Sequence, residues 1–459
     1  MDLGSIIAVT ATLQNPALNR LSFGEPGIYA RVPIAVIPAS VRTRRYATAT
    51  ALADLLDDGF AASDPVYLAA TALCSQSPRP QTFKVLCGRS DFTFAAVLTC
   101  TTTDDTDTIE VTIRGENPAA AGTILEEVVS IAGDPLGNAN TNATALAVAL
   151  SGTGFDPGTV TFTAVGATVE VDGAAANDIC FFDDLHNVTL DDATADRGIA
   201  ADIGAIIAAD SDWYELIPAD AFGGAELTLL STAMNSATNK AMSYASQDSD
   251  ILTGAGIAAA LTALNHTKTF GIYSAHGMDQ YPGAAAAGLF LAKDPGTYMR
   301  AFKSLTGVTP SHLTTAELAL VHANFMNTYT GVSIGGVTIV NGDLQRGWSH
   351  GSVEGFMDTY RLIDATVSEI QLRVFSALRA ADKIPMTDQG LSVIKGSVLE
   401  AVKSFGPLAY VPGSEVCNVP LASTISAIDR AARTVPSVSA GAQLAGGINR
   451  VNISLTLSF

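Results

Sequence analysis

Gly347-Trp348-Ser349-His350-Gly351 spells G-x-S-x-G, the pattern that sets a nucleophilic serine on a sharp turn between a strand and a helix. The chemistry needs a later Asp or Glu and then a histidine. No histidine follows His350, and the nearest strand pattern ends near Val340. A serine hydrolase using Ser349 is therefore an alternative that the spacing leaves incomplete. The other histidines, His186, His266, His276, His312 and His322, show no His-x-His or His-x-x-x-His spacing, so no metal site is expected. No G-x-x-x-x-G-K-[ST] loop occurs, and Gly223-Gly224 and Gly335-Gly336 read as turns. Asp279, Asp294 and Asp343 are the carboxylates available as acid and base, and Trp213-Tyr214 reads as core. The five cysteines, Cys74, Cys87, Cys100, Cys180 and Cys417, are scattered without a Cys-x-x-Cys pair. They are expected as buried free thiols. No catalytic residue and no cofactor is assigned.

The elements that must position any site come from periodicity. Residues 451–459 alternate, with Val451, Ile453, Leu455, Leu457 and Phe459 on one side and Asn452, Ser454, Thr456 and Ser458 on the other. That is a strand with one buried face, and a terminal segment stays ordered only when it is tied to something. Ser5–Leu13 gives a second terminal strand, carrying Ile6, Val9, Ala11 and Leu13. Between the ends, a strand is expected at 28–37, helices at 48–58 and 64–77, and a strand at 83–88. Helices and strands then alternate from Ile199 to Ala292, which predicts a parallel sheet covered by helices. A helix is expected at 315–327 and a strand at 337–342. Phe356, Tyr360, Ile363, Val367, Ile370, Val374 and Leu378 form a helical stripe that ends before Pro385. Thr387 caps a second helix striped by Leu391, Ile394, Val398 and Val402, and a short helix covers 423–433.

The net charge of −20 is uneven. Residues 91–200 hold 2 basic and 18 acidic side chains, whereas residues 341–459 hold ten of each. Such a surface argues against nucleic-acid binding, and the acidic block is accounted for by a solvated domain. No stretch is long and apolar enough to span a membrane, and no basic-then-apolar leader opens the chain, so a soluble protein made in a cytoplasm is expected. The fold class expected is α+β and multidomain. Its parts are an N-terminal arm (1–20), a core in two parts (21–91 and 311–433), an inserted acidic mostly-β domain (92–195), a parallel-sheet α/β middle domain (196–310), and a C-terminal linker and strand arm (434–459).

Several runs, taken together in order, resemble a known family. "GVTIVNGDLQRG" leads into a long helix opened by Asp358 and Asp364. Lys383-Ile384-Pro385, Thr387-Asp388 and Gly390 follow, and the chain ends in "ISAIDRAARTVPSVSAGAQLAGGINRVNISLTLSF". With "SDPVYLAATALCSQSPRPQTFKV", "SDWYELI" and "AKDPGTYMRAFKSLTGVTP", these resemble contractile tail sheath proteins of bacteriophages. The resemblance covers most of the chain in the same order and is weakest over 92–195. It implies a homo-oligomer of hexameric rings stacked around a tail tube, assembled in the host cytoplasm into a virion tail. Baseplate and tail terminator proteins would be further partners. The terminal strands would add to sheets of neighbouring subunits, with 14–27 and 434–447 as linkers. Lys395, Lys403, Arg430 and Arg433 are the candidates for facing the tube. The sheath of a cellular contractile injection device is the alternative within the same resemblance.

Overall fold

The strand expected at 28–37 forms over Pro26–Arg31 (β1), starting two residues earlier and stopping at Arg31, and lies inside an eight-stranded sheet. A computed structural model describes residues 23–32, 36–37, 41–88, 95–101, 107–116, 124–154, 160–173, 180–192, 199–334, 337–344, 349–350 and 355–448. The two terminal strands expected at 5–13 and 451–459 lie outside the described residues.

After β1 come Thr43–Ala47 (β2), Ala51–Asp57 (α1), Pro65–Cys74 (α2) and Thr82–Gly88 (β3). The insert follows as Ala95–Cys100 (β4), Thr108–Glu116 (β5), Ile124–Ala132 (β6), Ala139–Ser151 (α3), Val160–Val165 (β7), Thr168–Gly173 (β8), Cys180–His186 (β9) and Val188–Asp192 (β10). Its strands make two antiparallel sheets, β10-β4-β8-β7 and β6-β5-β9. Leu98, Val111, Ile113, Val169 and Val171 from these sheets join Leu146 and Leu150 of α3 in a separate core. Chain then alternates through Ile199–Ala209 (α4), Glu215–Pro218 (β11), Gly224–Ser236 (α5), Ala241–Ser246 (β12), Gly256–Ala263 (α6), Thr269–Tyr273 (β13) and Pro282–Leu291 (α7). Thr315–Ala323 (α8), Asn327–Ile334 (β14) and Val337–Leu344 (β15) complete this part. The C-terminal unit is Met357–Ala380 (α9), Asp388–Lys403 (α10), Val416–Asn418 (β16), Ala427–Ala432 (α11) and Ser439–Gly441 (β17).

The large sheet runs β15-β14-β13-β12-β11-β1-β3-β2. Residues 21–91 and 196–310, expected as two units, supply neighbouring strands: β1 pairs in parallel with β3 on one side and with β11 on the other. Side chains alternate across the strands, so each face needs its own cover. Ile28, Val85, Ile217 and Phe270 pack under α1, α2 and α7. Tyr29, Leu86, Leu216 and Met242 pack under α4, α5 and α6. Every residue of α7 is buried. Its glycines allow that, because a Cβ on Gly283 would stand 2.9 Å from the Tyr244 backbone and one on Gly288 2.9 Å from the Leu73 carbonyl.

Two expectations need correction. The helix expected to reach Asn327 stops at Ala323, because Phe325 takes a left-handed backbone (φ 52°) and β14 starts at Asn327. The expected apolar stripe of α9 is only partly its buried face. Val374 is buried, but Ile363 is 44% exposed, whereas Arg361, Leu362, Ala365, Glu369 and Gln371 point inward. Polar groups tolerate burial only when they are paired: Glu369 is paired by Arg373 one turn on at 2.7 Å, whereas the partners of Arg361 are distant in sequence.

Candidate inter-subunit surface

The residues singled out for chemistry resolve into structural roles. Ser349 is fully buried, and its N–H donates to the Gly355 carbonyl at 2.9 Å. His350 is also fully buried. Its Nδ1 lies 3.1 Å from the Asn324 carbonyl and its Nε2 lies 3.1 Å from the Tyr244 hydroxyl. A carbonyl only accepts, so Nδ1 carries the proton and Nε2 accepts from Tyr244. Both ring nitrogens are thus engaged away from Ser349, and burial lowers the His350 pKa to about 4. A second serine–histidine contact had no sequence signal. Ser231 Oγ lies 2.7 Å from His266 Nδ1 and 2.7 Å from Thr269 Oγ1, all three residues buried. It fastens α5 to the start of β13. Asp279 sits on the surface 3.0 Å from His276 Nδ1, and Asp343 lies in β15 opposite Thr330. Trp213 and Tyr214 are core, as expected. Cys74, Cys87, Cys100 and Cys417 are buried free thiols, and burial raises Cys74 and Cys100 to about 11.

An open parallel sheet usually binds ligands beyond the strand ends where its order reverses, here between β1 and β11. Among the described residues, the space beyond the ends of β11 and β12 is nearly closed. Phe222, Met278 and Tyr281 line a void of about 10 Å³, at the limit for one water. Asp220 accepts from the Arg31 N–H at 2.6 Å, and Arg31 pairs with Glu226 at 2.7 Å.

Polar side chains are concentrated instead where α9 meets the sheet. Arg300 makes a two-pronged contact with Glu215 at 2.5 and 2.6 Å, both residues almost fully buried. Ser243 accepts from Arg300 at 2.6 Å and donates to Glu215. The guanidinium stacks 4.3 Å from Phe270 and 4.1 Å from Phe290. Arg361 donates to the carbonyls of Phe23, Phe290 and Lys293 at 2.9, 2.9 and 2.7 Å. One turn on, Asp364 accepts from the Tyr214 hydroxyl at 3.2 Å and pairs with Lys268 at 3.4 Å. Burial raises the Asp364 pKa against the opposing pull of Lys268.

The C-terminal unit is where the described surface is least covered. Eight of the nineteen exposed large apolar side chains among the described residues fall between Leu408 and Ile448. Leu408, Leu421, Ile428 and Ile448 are each more than 60% exposed. Strands β16 and β17 have three residues each and pair only with one another among the described residues. The stretch 434–447, expected as a linker, is partly anchored. Ser439–Gly441 pairs with β16, Val411 donates to Gln443 at 2.9 Å, Leu444 bridges Tyr410, and Ala445 donates to Ala409 at 3.0 Å. On the other side, the expected 14–27 linker is already strand from Pro26. Of the four candidate tube-facing residues, all are exposed. Arg430 folds back onto the carbonyls of Ala422 and Ile425, and Arg433 ends α11 with a left-handed backbone. Lys395 and Lys403 on α10 have no ion-pair partner among the described residues. The strand residues Ile6, Val9, Ala11, Leu13, Val451, Ile453, Leu455, Leu457 and Phe459 lie outside the described residues.

The chain matches no protein-family model and no curated protein sequence. Among solved structures, it is similar to the sheath tail protein of Desulfitobacterium hafniense, at 9% identity over 89% of this chain and 92% of that one, with a TM-score of 0.45. It is also similar to a chain of the PVC sheath complex of an extracellular contractile injection system in the contracted state, at 10% identity over 97% and 95% (TM-score 0.47). A third is the contracted helical sheath of the anti-feeding prophage, at 12% identity over 59% and 78% (TM-score 0.42). The similarity is to contractile sheath proteins.

The sequence reading missed the β16–β17 ribbon, whose strands are too short to show a period, and the anchoring of 439–445. Val438, Ala440 and Ala442 give at most a weak alternation there.

Proposed function

We propose that this chain is the structural subunit of a contractile sheath, polymerising as stacked hexameric rings around an inner tube and shortening to drive that tube through an envelope. The observation that carries the reading is the β16–β17 ribbon, considered with the pattern of the chain end beside it. A two-stranded ribbon of three-residue strands is marginal alone, and open edges recruit further strands. The alternating segment 451–459 follows within ten residues of β17 and has the side-chain pattern for strand addition in an adjacent copy. Exposed apolar side chains around the ribbon suit burial in a lattice. The collinear sequence resemblance supports the same assignment. A phage tail, with tail tube, baseplate and terminator proteins as partners and genome ejection as outcome, is the form we favour over a cellular injection device.

Deleting residues 448–459 is expected to abolish tube formation, seen by electron microscopy, while the melting temperature of the dispersed protein stays near wild type. Normal-length tubes from the truncated chain would refute the reading. Tube contact by α10 has its own check. Reversing Lys395 and Lys403 to Glu is expected to weaken co-sedimentation with the inner tube protein, most strongly at low salt. Unchanged binding would remove both lysines from that role.

A further inference from the structure

Phe23, just before β1, and residues 443–445, just after β17, are fastened to the same stretch of α9. At the N-terminal side, the Phe23 carbonyl accepts from Arg361 Nε at 2.9 Å, and the Phe23 ring packs 5.3 Å from Tyr214, whose hydroxyl donates to Asp364. At the C-terminal side, the backbone of 443–445 bonds to 409–411. That loop is held in turn by a buried contact of 2.6 Å between the Tyr410 hydroxyl and Thr366 Oγ1. Thr366 donates to the Leu362 carbonyl at 2.8 Å, so Tyr410 is the donor to Thr366. Leu362 packs with Ala409 and Tyr410, and the left-handed Gly296 closes over them, its Cβ position 2.7 Å from Ala409 Cβ. Arg361 and Thr366 are five residues apart, about 7.5 Å along a helix axis.

We propose that Arg361 and Thr366 are positioning residues that hold Phe23, at the entry to β1, and the 443–445 stretch to one short stretch of α9. Load arriving on one exchanged strand then has a route to the other through that helix, beside the covalent route from Phe23 into β1. The inference rests on the sheath reading given above. A fixed root matters because a segment that must be ordered on association pays that entropy at assembly, and a root already held pays less. The geometry is also specific. Three carbonyls from two separated segments, Phe23 and the end of α7, converge on one planar fork, which a lysine's single ammonium does not reproduce.

The test uses the full-length chain. Thr366→Val and Tyr410→Phe each remove one hydroxyl from the pair while keeping side-chain shape, and Thr366→Ser keeps the hydroxyl. Thr366→Val is expected to raise the concentration needed for tube formation about fivefold, the equivalent of one lost hydrogen bond per subunit. Its tubes should break into shorter pieces under shear, by more than the small fall in melting temperature that an unpaired Tyr410 hydroxyl gives the dispersed protein, and Thr366→Ser should restore assembly. Amide exchange at Ala445 should also quicken in the Val and Phe variants. Arg361→Lys leaves buried carbonyls unpaired and should lower assembly and melting temperature together, so the hydroxyl variants decide. Wild-type protein that stays dispersed would overturn the sheath reading. Wild-type tubes with Thr366→Val and Tyr410→Phe unaffected, or affected only in step with melting temperature, would overturn this inference alone.

Discussion

Replacing Arg300 with Met will lower the stability of the folded chain by about 3–5 kcal/mol, read as a fall in denaturant midpoint at unchanged slope. The cost comes from what is left behind. Glu215 has no exposed surface, and its two oxygens face the Arg300 guanidinium at 2.5 and 2.6 Å. Without the arginine, only the Ser243 hydroxyl still donates to it among the contacts described above. An unpaired carboxylate in that setting must either stay charged at high cost or take up a proton. The rings of Phe270 and Phe290 also lose the cation stacked between them. Desolvation of both charges offsets much of what the intact pair contributes, so the double variant Arg300→Met with Glu215→Leu should recover most of the loss. A double variant as unstable as the single one would show that the cost lies in lost packing and not in the orphaned charge. Phe290 lies under both Arg300 and Arg361, so the same experiment reports on how firmly α9 is seated.

How much of this was legible depends on whether a residue's partners are near it in sequence. The alternation from α4 to α7 was readable because each strand and helix carries its own period. Ile199–Ala209 forms with the bounds that its pattern gives. Local caps were readable too: Thr387 accepts from the Gly390 N–H at 3.2 Å, and Pro65 opens α2. The α9 face was misread because periodicity treats Arg361 and Glu369 as solvent-facing. Arg361 is instead satisfied by carbonyls at positions 23, 290 and 293, which no local window contains. Strand β2 was missed for a related reason. Thr43–Ala47 carries Arg44 and Arg45, yet it is an edge strand whose arginines pair with Asp58 and Glu25. At the candidate surface, Lys403 lies off the helical stripe, whereas Lys395, four residues after Leu391, borders it and is exposed all the same. The use of Arg430 to close its own loop was not readable, since it depends on the turn at 422–425.

Acidification should open the sheet near His350. The ring is fully buried and its pKa is lowered from 6.5 to about 4, chiefly by burial and slightly by His266, against the raising effect of the Asn324 carbonyl. A histidine whose folded pKa lies below its unfolded value favours the folded state only while neutral. The unfolded chain binds the proton first, so stability falls as pH drops from about 6.5 to about 4. The shift corresponds to about 3 kcal/mol across that window. Asp358 and Asp364, raised by burial, act in the opposite sense, because their folded forms take up protons more readily than the unfolded chain. A bare pH curve would mix the two effects. The measurement is therefore the difference between wild type and His350→Gln, both of which contain the same carboxylates. Wild type should lose about 3 kcal/mol more than the variant between pH 7 and pH 4, and parallel curves would reject the assignment. The loss should begin locally. The His350 N–H donates to the Thr269 carbonyl, and its ring ties Tyr244 of β12 to the turn at Asn324 before β14. Amide exchange in β13 and β14 should accordingly rise at acid pH before exchange in β1 and β3, which lie several strands away in the same sheet.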